Sequence, residues 1–292
     1  MKNSQHEHRD KIFIEDSKIE SIRTFPNNQF VMRLHSPKCA KTALPGSFIH
    51  IQCDQDILMR RPLSIMRTNA KDGWVEILFK IVGSGLDALS KRKIGDLVSL
   101  IGPIGNGFMP SRKRPEPLLI GGGVGIPPII FLAETLKEKE GWNPFVIMGS
   151  EIPFPFKITK RKKKISWLEE EINGVMPLLE EWKIPGILCS LSNISGSYKG
   201  YVTDAADQYL HSISQNQLDR IEIFSCGPTK MLKAVAQLAR KYKLPCQVSL
   251  EEFMACAVGG CAGCAIPIKK EDGISMQRVC VDGPVFKAAH VF

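Results

Sequence analysis

The sequence predicts an α+β multidomain chain: an antiparallel β-barrel, then a doubly wound parallel α/β domain, then a cysteine-rich segment that follows neither pattern. Three observations predict it. Up to about residue 115, short apolar runs are broken by turn chemistry at regular spacing, as in a small antiparallel barrel. From Leu118, apolar strands alternate with longer helical stretches, as in a parallel sheet with helices on its faces. Four of the nine cysteines then crowd the end of the chain, while Cys39, Cys53, Cys189, Cys226 and Cys246 are scattered. The expected boundaries are residues 1–115, 116–248 and 249–292.

In the first region the strands fall at 30–34, 47–53, 63–67, 74–81 and 97–101, with one short helix at 84–91. Alternation is visible in Trp74-Val75-Glu76-Ile77-Leu78-Phe79, and Pro45-Gly46, Lys71-Asp72-Gly73 and Ile94-Gly95-Asp96 are turn chemistry. A linker at 111–117 closes it. The second region reads strand 118–120, helix 127–140, strand 145–148, a polar helix near 166–180, strand 186–189, helix 203–211, strand 221–225 and helix 231–242.

Composition narrows the class. With 43% hydrophobic and 24% charged residues, wholesale disorder and collagen-like structure are excluded. No uncharged apolar run is long enough for a membrane span. Met1 to Lys11 lacks the apolar stretch of a secretory signal, so a cytoplasmic protein without a disulfide framework is expected. The net charge is +9. Lys157, Lys160, Arg161, Lys162, Lys163 and Lys164 carry much of that excess with no acid between them. The run has no interleaved aromatics and no nucleic-acid module around it, so we expect a solvated loop and no nucleic-acid partner.

The tail spacing is Cys256-x4-Cys261-x2-Cys264-x15-Cys280. Three thiolates converge from one tight loop and the fourth returns from a hairpin, which is the plant-type ferredoxin spacing for a [2Fe–2S] cluster. Gly259, Gly260 and Gly263 allow the positive φ values and close amide-to-sulfur approaches such a loop needs. A four-cysteine zinc site is the alternative, but zinc sites usually pair two close knuckles. Here only Cys261 and Cys264 form one.

Leu118-Leu119-Ile120-Gly121-Gly122-Gly123-Val124-Gly125-Ile126-Pro127-Pro128 runs strand, glycine loop, helix. Gly122, Gly123 and Gly125 let backbone approach a pyrophosphate at a helix N-terminus. The strand ending Cys226-Gly227-Pro228 would stand at the same sheet edge. In the barrel, Arg61-Pro62-Leu63-Ser64 offers a bidentate cation and a hydroxyl. Leu78-Phe79-Lys80 leads into a glycine turn, Gly83 to Gly85, followed by Leu86.

Together these residues resemble the ferredoxin–NADP reductase superfamily: Arg61-x-x-Ser64, Gly122-Gly123-x-Gly125-x-x-Pro128, and Cys226-Gly227-Pro228 before Met231 occur in its order. Within it, the tail (Met254-Ala255-Cys256, Cys261-x-x-Cys264 and Val279 to Phe286) resembles the electron-transfer subunits of NAD-dependent dihydroorotate dehydrogenase. The resemblance implies FAD at Arg61, Pro62, Leu63, Ser64, Leu78, Phe79, Lys80, Gly85 and Leu86. It implies NAD as co-substrate at Gly122, Gly123, Gly125, Cys226, Gly227 and Pro228, and the cluster on Cys256, Cys261, Cys264 and Cys280. It also implies an FMN-containing catalytic partner in a heterotetramer, a role in pyrimidine biosynthesis, and no catalytic acid or base on this chain. Lys80 stands where relatives usually have Arg, and Leu86 where they usually have Thr. The segment 192–196 lacks the acidic residues expected near the nicotinamide cofactor. The alternatives are another flavin–cluster subunit, such as that of sulfide dehydrogenase or an NADH-dependent ferredoxin reductase, or a non-enzymatic zinc- or nucleic-acid-binding module.

Overall fold

The computed structural model describes residues 11–292; the expectation about a secretory signal falls almost wholly outside them. The amino-terminal unit contains β1 (Phe13–Phe25), β2 (Gln29–His35), α1 (Pro37–Thr42), β3 (Phe48–Ile51), β4 (Arg61–Asn69), β5 (Trp74–Lys80), α2 (Ser84–Ser90) and β6 (Leu97–Ile104). The six strands close into a barrel in the order β1-β2-β5-β4-β3-β6. Inward positions supply its core, with Ile19, Met32, Ile49, Ile65, Ile77 and Phe79 each at most 1% exposed. Each such side chain contributes about 1.5–3 kcal/mol by leaving water.

Two elements here escape the sequence reading. β1 is the longest strand, at 13 residues, yet it reads as polar. Its sequence is dense in charge because one face is solvated, and a register shift at Ile19/Ser21 interrupts its alternation. The short helix α1 sits in a stretch too brief for a helical period to show.

The second unit comprises β7 (Leu118–Gly122), a 3₁₀ turn at Gly123–Gly125, α3 (Ile126–Lys137), β8 (Phe145–Gly149), β9 (Thr159–Lys160), β10 (Gly174–Val175) and α4 (Pro177–Glu181). It continues through β11 (Gly186–Ser190), β12 (Tyr198–Lys199), α5 (Val202–His211), α6 (Gln215–Leu218), β13 (Ile223–Cys226), α7 (Thr229–Lys241) and β14 (Cys246–Ser249). The tail adds β15 (Ala265–Lys270), β16 (Gly273–Arg278), β17 (Val285–Lys287) and α8 (Ala288–Val291). The large sheet runs β12-β11-β8-β7-β13-β14-β17. It is parallel except for β17, which pairs antiparallel with β14. The chain order reverses direction between β7 and β13, the place where open sheets hold ligands.

The expected polar helix at 166–180 is a correction. The segment holds isolated turns, such as Leu168 N–H donating to Ile165 C=O at 3.1 Å and Ile172 N–H to Glu169 C=O at 3.1 Å. Only Pro177–Glu181 is helical. Trp167, Leu168 and Ile172 pack against the sheet core instead, and tertiary burial overrides the helix propensity of the glutamates.

Barrel and sheet dock through α3. Arg67 on β4 holds Glu134 on α3 with a fork of bonds, Nε at 3.0 Å and Nη2 at 2.6 Å from Oε1. Val31, Met66 and Leu78 of the barrel join Ile126, Ile129 and Ile130 in one apolar cluster. The tail is packed equally firmly: Met254, Cys264, Ile268, Val279 and Cys280 form a cluster with Phe48 of β3 and Ile104 of β6.

Candidate functional site: a cysteine loop, a glycine crevice and an arginine pocket

The four tail thiols stand as two pairs. The Cys261 amide donates to Cys256 Sγ at 3.4 Å, and Cys264 Sγ lies 3.3 Å from Cys280 Sγ. The first pair is near the surface and the second is buried. The Gly263 amide donates to Cys261 Sγ at 3.4 Å. Ala257, Gly259 and Ala262 take φ values of 56°, 84° and 55°, which turns successive amides inward toward sulfur. Burial alone would raise the Cys256 thiol, but the amides of Cys261, Val258 and Gly260 and the Cys261 side chain bring it down to about 7. Burial and the neighbouring Cys264 push the Cys280 thiol up to about 12.

No three His, Cys, Asp or Glu side chains among the described residues converge on a single metal-ion position. Four thiols in a nest of inward-turned amides fit an iron–sulfur centre, whose ligands are cysteine thiolates.

Asn106 clamps the tail to the barrel and Arg278 braces the tail internally; the sequence reading singled out neither. Asn106 Nδ2 donates to the carbonyls of Val281 and Asp282, both at 3.2 Å, and its amide donates to Gly283 C=O at 2.6 Å. Arg278 Nη1 donates to Gly259 C=O at 3.0 Å, and its amide donates to Asp282 Oδ2 at 2.7 Å. His50 on β3 is 1% exposed, and neither ring nitrogen has a hydrogen-bond partner. Burial, then the Arg60 charge, pull its pKa down to about 4, against the opposing backbone of Arg60 and Met254. The density of turn residues in Gly102-Pro103-Ile104-Gly105-Asn106-Gly107 was the available signal for Asn106. His50 gave none, because a lone histidine in an apolar strand reads as core.

The glycine loop brings its predicted residues together at the sheet's reversal point. Gly125 lies against the Cys226 backbone, Gly122 and Gly227 lie against the Met231 side chain, and Gly123 takes φ 55° in open space. A Cβ is thus excluded by backbone contact at Gly125 and by conformation at Gly123, while at Gly122 and Gly227 it would press on the flexible end of Met231. α3 opens with Ile126-Pro127-Pro128 and has no side-chain cap; the two prolines lack an N–H and the Ile126 amide donates to Gly123 C=O, so the first turn of the helix itself has no amide left for an anion. Cys226 is 1% exposed. Burial, with the Glu251 charge beside it, raises its pKa and keeps it a neutral thiol.

In the barrel the two arginines have different duties. Arg60 is committed to the wall, with Nη1 donating to Ser99 C=O at 2.7 Å and Nη2 to Ser99 Oγ at 2.9 Å. Arg61 bonds only local carbonyls through Nη1, Met59 C=O at 2.7 Å and Arg60 C=O at 3.3 Å. Its guanidinium lies over Gly85, where a Cβ would come within 2.9 Å of Nε. It thereby faces the uncapped amides of α2, whose N-cap Gly83 offers no side chain. Ser64 is half-buried and paired in register with Phe48. Phe79 is 1% exposed and stacks on Phe30 at 5.3 Å, and Leu78 and Leu86 are buried too. Those three therefore offer a ligand backbone rather than side chain, whereas Lys80 and Pro62 remain partly open.

An arginine-and-amide anion pocket on a barrel, a glycine crevice on a parallel sheet and an amide-lined cysteine loop define an electron-transfer oxidoreductase that uses a flavin and an iron–sulfur centre. Residues 251–292 match the iron–sulfur cluster binding domain of dihydroorotate dehydrogenase B. The chain is 32% identical over 247 residues to the electron transfer subunit of dihydroorotate dehydrogenase B (NAD(+)) from Caldanaerobacter subterraneus subsp. tengcongensis, covering 85% of this chain and 86% of that one. The Bacillus velezensis subunit is 34% identical over 253 residues, with the same coverage. Among solved structures, an NADH-dependent reduced ferredoxin-NADP oxidoreductase superposes with a TM-score of 0.75 at 27% identity, over 95% of this chain and 90% of that one. A ferredoxin NADP+ reductase from Neisseria gonorrhoeae shares the fold, with a TM-score of 0.57 over 78% of this chain and 91% of that one. The chain belongs to the family of electron transfer subunits of dihydroorotate dehydrogenase B.

Proposed function

We propose that this chain carries electrons from an FMN-containing dihydroorotate dehydrogenase catalytic subunit, through a [2Fe–2S] cluster and FAD, to NAD+, within a cytoplasmic heterotetramer serving pyrimidine biosynthesis. The observation that carries the reading is the packing of the cysteine loop against β3, the strand paired with the Arg61–Ser64 strand. When bound, the cluster supplies one-electron exchange, and FAD supplies both one-electron and hydride exchange, so FAD belongs between cluster and nicotinamide.

The chain's own residues hold and orient. Cys256, Cys261, Cys264 and Cys280 would hold the cluster through their thiolates. Arg61 and the α2 amides grip the FAD diphosphate, and Ser64 faces its ring. Gly122, Gly123 and Gly125 cradle the dinucleotide pyrophosphate, while Cys226, Gly227 and Pro228 bound the nicotinamide end. Domain boundaries near 115 and 248 follow the same division of labour, with β17 returning to the sheet so that the tail is tied at both ends.

The test is reconstitution. Alone, the chain should reduce dyes with NADH and fail to oxidise dihydroorotate. Adding the catalytic subunit should produce dihydroorotate-dependent NAD+ reduction. Turnover of dihydroorotate by the isolated chain would overturn the assignment.

The 27%-identical NADH-dependent ferredoxin-linked structure keeps a second reading open, a partner other than dihydroorotate dehydrogenase. The 32–34% identity to subunits of dihydroorotate dehydrogenase B, against 27% to that structure, favours the first.

A further inference from the structure

His50 lies in the seam between barrel and tail, and strand alternation puts it there. On β3, Ile49 and Ile51 point into the barrel core, whereas Phe48 points outward into the cluster of tail residues. Side chains alternate along a strand, so His50 points outward with Phe48. Across the ladder to β4, Phe48 stands opposite Ser64 and His50 opposite Pro62. The imidazole therefore shares the outer face that Ser64 occupies, one strand over. On its other side runs the segment leading into the cysteine loop, whose Met254 side chain packs in the same cluster as Phe48.

The polar groups in this seam are left unpaired. Burial first, then the charges of Arg60 and Arg61, keep the His50 ring neutral, and a neutral imidazole has one N–H to give. Neither ring nitrogen is bonded, and the ring is 1% exposed. The carbonyls that face it are those of Arg60 and Met254. Arg60 C=O already accepts from Arg61 Nη1 at 3.3 Å. Among the described residues, no backbone–backbone hydrogen bond holds residues 251–255, so Met254 C=O has no such partner. A buried donor left unpaired is costly, and closing the His50 N–H on Met254 C=O satisfies both groups at once.

That contact bears on the thiols. Met254 stands two residues before Cys256, whose Sγ accepts from the Cys261 amide at 3.4 Å. The return side of the tail is fastened to the barrel, with Asn106 on the carbonyls of Val281 and Asp282. The entry side has His50.

We infer that His50 is a positioning residue for the iron–sulfur segment: its ring N–H bonds Met254 C=O, pins the start of the cysteine loop to the strand beside Arg61 and Ser64, and so keeps the loop amides turned onto the Cys256 sulfur. The inference rests on the relay reading above and deepens it, because the same contact fixes how the cluster stands to the flavin. Amide hydrogen bonds to sulfur raise a cluster's reduction potential by stabilising its added negative charge, so a loosened loop lowers that potential.

The experiment uses the protein as purified, with its FAD, and three substitutions. His50→Leu and His50→Phe remove the N–H, the second keeping a flat ring; His50→Gln keeps a donor. Amide hydrogen exchange across residues 255–264 should quicken about two- to tenfold in His50→Leu, as the loss of one neutral hydrogen bond gives, and stay near wild type in His50→Gln. Exchange in β7 and β13 should not change. In a redox titration followed by electron paramagnetic resonance, the cluster's midpoint potential should fall in His50→Leu and recover in His50→Gln, while that of FAD holds. A side chain that merely filled the seam would not separate the two variants by their donor. Should His50→Leu fail to fold, His50→Phe gives the same two readings. Loop exchange that matches wild type without the donor, exchange that quickens everywhere alike, or an unmoved cluster potential would overturn the inference. If the protein binds no iron and the loop still loosens only when the donor is lost, the relay reading fails and the anchor stands.

Discussion

Gly125 on the α3 turn stands against the backbone of Cys226 at the end of β13, so closely that a Cβ there would lie 2.5 Å from the Gly227 amide nitrogen. The two loops that frame the crevice are thereby held at backbone contact. Gly125→Ala should cost about 1–3 kcal/mol through overpacking and lower the melting temperature of the holoprotein. NADH-to-dye turnover should fall with it, because the crevice is forced apart. Gly123→Ala meets open space and only the left-handed strain of φ 55°, about 1–2 kcal/mol. Differential scanning calorimetry with parallel kinetics checks the pair; equal loss of turnover per degree of melting temperature would remove Gly125 from its framing role.

Arg61 and Arg60 are neighbours with separable consequences. Arg61→Ala removes the guanidinium over Gly85 and should weaken FAD about ten- to a hundredfold, the worth of one charge-assisted contact. Arg60→Ala removes both Arg60 bonds to Ser99, whose carbonyl keeps only the Gln52 amide at 2.8 Å, and should act first on thermal stability. Flavin retained on gel filtration, set beside the unfolding curve, distinguishes them. Arg61→Ala with unchanged FAD affinity would take Arg61 out of the flavin pocket.

Cys264 lies in the buried thiol pair beside Cys280. Cys264→Ser should depress dihydroorotate-dependent NAD+ reduction in the reconstituted complex while largely sparing NADH-to-dye turnover, because only the coupled reaction crosses the cluster. Iron and flavin contents are measured alongside. A variant with full FAD, no cluster and full coupled activity would break the relay.

His50 makes stability depend on pH. In the unfolded chain its pKa is near 6.5, and in the fold it is about 4. The unfolded state therefore takes up the proton first. The stability associated with neutral His50 is whole above pH 6.5 and is lost as pH falls toward 4. Each unit of difference is worth about 1.4 kcal/mol, so the loss reaches about 3 kcal/mol at the acid end. Urea unfolding of wild type and His50→Gln at several pH values from 7 to 4.5 should show the variant with the flatter profile, cluster absorbance serving as control. Parallel profiles would assign the acid sensitivity elsewhere.

The sequence by itself determined the barrel's central strands, the alternating sheet and the chemistry of the tail, because each rests on local rules. Residues that alternate along a strand declare its buried face, a glycine loop between strand and helix declares a close backbone approach, and four thiols at ferredoxin spacing declare an iron–sulfur segment. Tertiary structure alone decided what depends on residues far apart in the chain. It made β1 a strand despite its charge, since its partners β2 and β6 supply the hydrogen bonds its own pattern does not advertise. It dissolved the helix expected at 166–180, since Trp167 and Ile172 gain more by packing on the sheet than the glutamates gain by helix formation. It returned β17 to the sheet beside β14, fastened the cysteine loop through Asn106, and turned Arg161 of the basic run onto the Gly186 and Ile172 carbonyls while its lysines stayed exposed. Local propensity fixes what a segment prefers when alone; the burial of apolar surface between distant segments fixes which of those preferences survive.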